Sequence, residues 1–145
     1  MIGISGMRPD LIIVRSRGEL AWEVLPGGRR SLLADNDTRM ALSVVDMKNV
    51  AESNKSYAAE VVLYSLVLAK WLEVSGLSAD FFVSDECFIW TNSERSNLTA
   101  LPSSASADMK IQTLVDSLDK VEFSVVCPSV IKFFKEDVPR VISKI

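Results

Sequence analysis

Asp46 and Lys48 stand two residues apart at the end of the apolar run Ala41-Leu42-Ser43-Val44-Val45. Side chains alternate along a strand, so both point to one face while Met47 points to the other. A carboxylate and the main-chain carbonyl of Met47, free at a strand end, are hard oxygen donors suited to Mg²⁺ or Mn²⁺. An ammonium group beside them holds or deprotonates a water, or steadies the charge of a phosphoryl transition state. Taken alone, an Asp-x-Lys in this position is more often a solvated strand end.

Two further groups have the same chemistry. Asp10 opens the β-branched run Asp10–Val14. It reads as a turn residue or cap, unless its strand lies beside the one that ends at Asp46. The two carboxyls then flank one cation, and each tolerates the other's charge only because of it. Glu60 sits inside a helix that is apolar nearly all round, with Tyr64 one turn later on the same stripe and Val67 and Trp71 beyond. A carboxylate placed there needs a partner: Lys48, a metal-bound water, or a substrate group. Alternatively it reaches sideways to solvent near Lys55 or Lys70.

Composition removes competing chemistries. The 145-residue chain contains no histidine. That excludes histidine-based triads and histidine–zinc centres on this chain. Cys87 and Cys127 form no CxxC, too few for a four-cysteine zinc or iron–sulfur site, and read as buried free thiols of a cytoplasmic protein. The net charge of −3 supplies no global field for nucleic acid, although a local groove can still be basic. The start of the chain lacks the pattern of a signal peptide. The most apolar segment, 58–74, is broken by Glu60, Ser65, Lys70 and Glu73, so it reads as a buried helix and not a membrane span.

The elements that must position these groups follow from periodicity. Residues 10–14 and 20–25 read as a hairpin of two strands, ended by Pro26-Gly27-Gly28. Residues 27–40 read as a loop with one helical turn, and 41–48 as a third strand. Residues 55–76 read as a long helix, with Ser53-Asn54 as its cap and Gly76 as its stop. A fourth strand spans 80–91, bent near Ser84-Asp85. A Ser-rich surface loop spans 93–107. Residues 109–118 form an amphipathic helix and 122–126 a fifth strand. A last helix spans 129–145, with Val130, Phe133, Phe134, Val138, Val141 and Ile142 inward and a kink at Pro139. The result is an α/β fold, a small mixed sheet flanked by helices. The abrupt ends suggest a chain truncated at its N-terminus.

The ordered set is more specific than any of its parts. Pro9-Asp10, then Asp46-Met47-Lys48 at a strand end, then Glu60-x-x-x-Tyr64 on the following helix resembles the PD-(D/E)XK nuclease superfamily. Within it, the opening "GMRPDLIIV" and the Glu60–Tyr64 spacing are similar to the RecB-like branch, with Glu where that branch carries Gln. The resemblance covers residues 6–91. It implies a restriction-endonuclease-like core over 1–92, with the Ser-rich loop and C-terminal helices of 93–145 packing on or extending it. It implies hydrolysis of DNA phosphodiesters in repair, recombination or phage defence. Asp10, Asp46 and the Met47 carbonyl would hold Mg²⁺ or Mn²⁺, Lys48 would position the attacking water, and Glu60 and Tyr64 would organise the site or contact DNA. A helicase, another subunit of a larger assembly, or a second copy of the chain would be its partner. The alternative is a nuclease-like scaffold without catalysis that binds nucleic acid or a partner protein.

Other polar features carry less. The pair Arg29-Arg30 in a Gly-rich loop suits a phosphate backbone, or is simply solvated. Lys132, Lys135, Arg140 and Lys144 would line a groove on the last helix, interrupted by Glu136 and Asp137. Asp35-Asn36-Asp37 reads as a turn or cap, and Trp22, Trp71 and Trp90 as core.

Overall fold

The computed structural model describes residues 8–92 and 101–142. Part of the Ser-rich loop (93–100) and the last residues of the expected final helix (143–145) lie outside the described residues.

The sheet is built around β4, Met40–Met47, whose residues 41–46 are all buried. On one side β1 (Leu11–Arg15) runs antiparallel to it, with Leu11 opposite Val45 and Arg15 opposite Ala41. On the other side two short strands run parallel to it. β5 (Phe81–Val83) pairs with residues 40–42 and β6 (Glu86–Trp90) with residues 45–47. The break between them, at Ser84-Asp85, is the expected bend. β7 (Asp119–Glu122) closes the sheet, antiparallel to β6. The chain is thus an α/β protein with a mixed sheet in the order β1-β4-β6-β7, with β5 also on β4.

The crossover from β4 to β5 is α1, Lys55–Ser75. Asn54 caps it by accepting the Tyr57 N–H, and Gly76 stops it in the left-handed conformation at φ 74°. α1 is apolar nearly all round because it is covered twice. Val61, Val62 and Leu66 pack on Leu42, Val44 and Ile89 of the sheet, while α3 (Phe123–Lys132) packs on its outer side. The opposite sheet face, with Ile13, Val45 and Phe88, is covered by α2, Ala107–Ser117. No helix among the described residues is long and apolar enough to cross a membrane.

Three expectations are corrected. The strand at Trp22–Val24, β2, does not pair with β1. It forms a separate hairpin with β3, Arg30–Leu32, where a loop was expected, so Pro26-Gly27-Gly28 is the turn inside a hairpin and not its end. The expected strand 122–126 is mostly helix. The strand ends at Glu122 and α3 begins at Phe123, because Phe123, Cys127 and Val130 are buried at helical spacing. The last helix is also not the single continuous helix expected. Its irregularity is a π-helical turn at Phe133–Asp137, followed by α4, Val138–Ile142. Phe133 is not inward there but half exposed, and Trp22 and Trp71 are exposed where core was expected.

Candidate active site

β4 fixes the first two groups. Asp46 shares the parity of Leu42 and Val44, so it faces α1, and it is 2% exposed. Lys48 follows where the strand ends, its N–H donating to Trp90 O at 2.9 Å. β1 brings the third. Continuing the antiparallel register one step past Leu11–Val45 sets Asp10 opposite Asp46. The Asp10 carboxylate accepts the Met47 N–H at 2.8 Å. In an antiparallel ladder one residue's N–H and C=O face the same neighbouring strand, which directs the Met47 carbonyl toward the Asp10 side of β4.

α1 supplies the rest. Lys48 Nζ donates to Glu60 Oε2 at 2.8 Å and stands 2.9 Å from Asp46 Oδ2. The Tyr64 hydroxyl donates to Glu60 Oε1 at 2.9 Å. The five residues singled out from the sequence, Asp10, Asp46, Lys48, Glu60 and Tyr64, therefore form one connected cluster. Met47 contributes backbone only, its side chain turned to the opposite face and 51% exposed. Of the partners open to Glu60, the structure selects Lys48.

Electrostatics follow from this geometry. Burial pushes the Asp46 carboxyl up from its ordinary value, the Lys48 ammonium pulls it down, and the neighbouring Asp10 and Glu60 carboxylates push it up again. Asp46 Oδ2 is buried and is ion-paired with the Lys48 ammonium at 2.9 Å. The carboxylates of Asp46 and Glu60 raise the Lys48 ammonium well above the ordinary lysine range. Lys48 in turn lowers Glu60. Burial and the Glu60 carboxylate push Tyr64 up to about 12. At neutral pH the cluster holds a permanent ammonium, a neutral phenol and a crowded set of acids.

One member was missed from the sequence. The Tyr57 ring lies under Lys48, with Nζ 5.1 Å from its centroid, a cation–π contact. The signal was present: Tyr57 precedes Glu60 by three residues, hence shares its helix face.

Arg29 and Arg30 are not members of this cluster. They line a cleft of about 560 Å³ with Lys132 and Lys135, on the β2–β3 turn side of α3. Arg30 is committed to Asp85 at 2.8 Å and stacks on Trp22 at 4.8 Å, while Arg29 is exposed. Asp37 is a turn residue, as expected, gripped by Arg39.

Among the described residues no three His, Cys, Asp or Glu side chains stand together as a metal site. Glu60, the third acid of the cluster, is engaged by Lys48. Asp46 meets the same ammonium at 2.9 Å, so a hard divalent ion held by the all-oxygen set of Asp10, Asp46 and the Met47 carbonyl would compete with Lys48 for the Asp46 carboxylate. Such an ion would neutralise the Asp10 carboxylate, whose charge lies beside that of the buried Asp46.

Comparison of the chain with protein-family models, with curated proteins and with solved structures returns no match.

Proposed function

We propose that this chain is a Mg²⁺- or Mn²⁺-dependent deoxyribonuclease with a restriction-endonuclease-like core of the PD-(D/E)XK type. One observation carries the reading. Asp10 and Asp46 from separate strands place like charges side by side on one sheet face, and Lys48 bridges Asp46 to Glu60 on the crossover helix. A fold gains no stability by crowding acids around a buried carboxyl, so a functional demand accounts better for the arrangement.

Asp10, Asp46 and the Met47 carbonyl would hold the ion. When bound, it would polarise the scissile phosphodiester and acidify a water. Lys48, protonated at neutral pH, is unsuited to act as a general base. It presents a fixed positive charge to the negative charge that builds on the phosphoryl oxygens. Glu60, Tyr64 and Tyr57 hold that ammonium in place, so it need not reorganise during the reaction.

The test is cleavage of plasmid and of single-stranded DNA in Mn²⁺ by the wild type, Asp46→Ala and Lys48→Ala. Loss of cutting in both variants supports the reading. Equal cutting by all three removes these residues from catalysis. A folded wild type that binds DNA but cuts neither substrate is the scaffold.

A further inference from the structure

The cleft between the β2–β3 turn and α3 is separate from the acidic cluster and has the opposite charge. It measures about 560 Å³ and runs from Phe123, at the start of α3, to Glu136 in the π-helical turn that extends it. Its far wall stands close because Gly28 has no side chain: a Cβ there would lie 2.8 Å from Cys127 Sγ. Positive φ at both Gly27 and Gly28 lets the chain reverse at that contact and brings Arg29 to the cleft.

The charged lining is Arg29, Arg30, Lys132 and Lys135 against a single acid, Glu136, on a chain whose net charge is −3. Arg30 is paired with Asp85, and Glu136 lies 3.9 Å from Arg140, which does not line the cleft. Arg29, Lys132 and Lys135 are exposed, and among the described residues no acid pairs with any of them. Soluble surfaces ordinarily mix the two signs. Three uncompensated cations around one concavity focus a positive field that the chain as a whole lacks. The other side of the same helical segment, at Val130, Phe133 and Phe134, faces Glu60 of the cluster. Cleft and cluster thus flank one helix, ~10–12 Å across.

We infer that this cleft holds the phosphate backbone of a nucleic-acid strand, away from the phosphodiester that is cut. The inference takes the identity of the anion from the nuclease reading. Contacts of this kind position a strand and read no base sequence. They also need no metal, so binding persists when the divalent ion is removed.

The test follows a labelled single-stranded oligodeoxynucleotide by fluorescence anisotropy with the full chain in EDTA, between about 50 and 200 mM salt. Replacing Arg29, Lys132 and Lys135 by Gln together should lower the slope of log affinity against log salt by about 2, three contacts at ~0.7 each, and Lys132→Gln alone by about 0.7. Lys110→Gln, on α2 at the opposite sheet face, removes the same charge and should leave the slope unchanged. Circular dichroism confirms that each variant is folded. An unmoved slope in the triple variant, or no binding in EDTA by a chain that cuts DNA in Mn²⁺, overturns the cleft and leaves the nuclease reading standing. Binding with the expected slopes but no cutting overturns the nuclease reading and leaves the cleft. A wild type that neither binds nor cuts overturns both. Displacement of the strand at constant ionic strength by inorganic phosphate would make this a small-anion site, and displacement by polyglutamate as effective as by unlabelled DNA an acidic-peptide site. Either result overturns the strand.

Discussion

Asp46→Asn should make the metal-free protein more stable while abolishing its activity. Asp46 and Glu60 share the single ammonium of Lys48, and Asp10 adds a third acid beside Asp46. Asp46 bears most of the strain because it is 2% exposed and lies among the Asp10 and Glu60 carboxylates. Its pKa is raised on folding, so the folded chain holds the Asp46 proton more tightly than the unfolded chain does. Stability from this group therefore falls as pH rises from the ordinary value of 3.8 through the folded value, and stays reduced above it. Asparagine removes that cost. It also removes one partner of Lys48, but the ammonium keeps Glu60 at 2.8 Å, so no charge is left buried and unpaired. The net expectation in EDTA at pH 7 is a gain of about 1 kcal/mol, as for other relieved functional strain, or about 3 °C in Tm for a chain of this size.

Urea unfolding from pH 4 to 8 reads this gain directly. The advantage of the asparagine variant should grow with pH and vanish toward the acid end. Saturating Mn²⁺ should then reverse the order. An ion bound to the folded state at 100 times its Kd adds about 2.7 kcal/mol, and the variant lacking a carboxylate ligand should gain far less. DNA cleavage by the variant should fall by at least ~10²-fold. If asparagine destabilises the metal-free protein by more than about 1 kcal/mol, Asp46 is a structural acid. If Mn²⁺ leaves the order unchanged, the acids do not hold a cation.

Three further outcomes test how the surrounding structure is held. Gly27 and Gly28 both have positive φ (92° and 94°), but a Cβ at Gly28 would stand 2.8 Å from Cys127 Sγ while one at Gly27 meets nothing within 4 Å. Gly28→Ala should therefore cost ~1–3 kcal/mol more than Gly27→Ala in chemical denaturation, and equal costs would show that the turn does not seat on α3. Burial pushes the Cys87 thiol up to about 12 and raises Cys127 as well, so at pH 8 a thiol-specific disulfide reagent should modify neither in the native protein and both in urea. The Arg39 guanidinium holds the Asp37 carboxyl below its ordinary 3.8. That stabilisation is present above 3.8 and lost as pH falls through the folded value, so Asp37→Asn should cost ~1–2 kcal/mol at pH 7 and progressively less in acid.

What was legible in the sequence follows from which signals are local. α1 was read to within a residue because its cap Asn54 and stop Gly76 are single-residue devices whose chemistry does not depend on distant partners. The Asp46–Lys48 face was legible for the same reason, since alternation along one strand settles it. The strand pairings were harder. A three-residue strand such as Arg30–Leu32 is too short for alternation to register, so its hairpin with Trp22–Val24 was read as a loop. Residues 122–126 read as strand because Val125 and Val126 favour extended structure and Pro128 argues against a helix interior. Burial of Phe123, Cys127 and Val130 along one helical stripe outweighed both, although Pro128, in the second turn, removes one backbone bond.

The site itself shows where local reading ends. Nothing near Asp10 in sequence says which strand it will meet. Had β1 closed a hairpin onto residues 20–25, its place beside β4 would not have followed, and the carboxyl of Asp10 need not have reached that of Asp46. The step that unites them is the antiparallel pairing of Leu11 with Val45, a contact across 34 residues. That pairing is driven by burial of Ile12 against the α1 side of the sheet and of Ile13 and Leu11 against the α2 side, not by the acids, whose mutual charge opposes it. The apolar alternation of β1 thus sets the register, and the register imposes the charge conflict at its open end. A single residue of slip would turn Asp10 to the α2 face and relieve the conflict. Since apolar burial fixes the register, the functional argument lies in the residue types that occupy positions 10 and 46 of it, two acids where the fold asks for none.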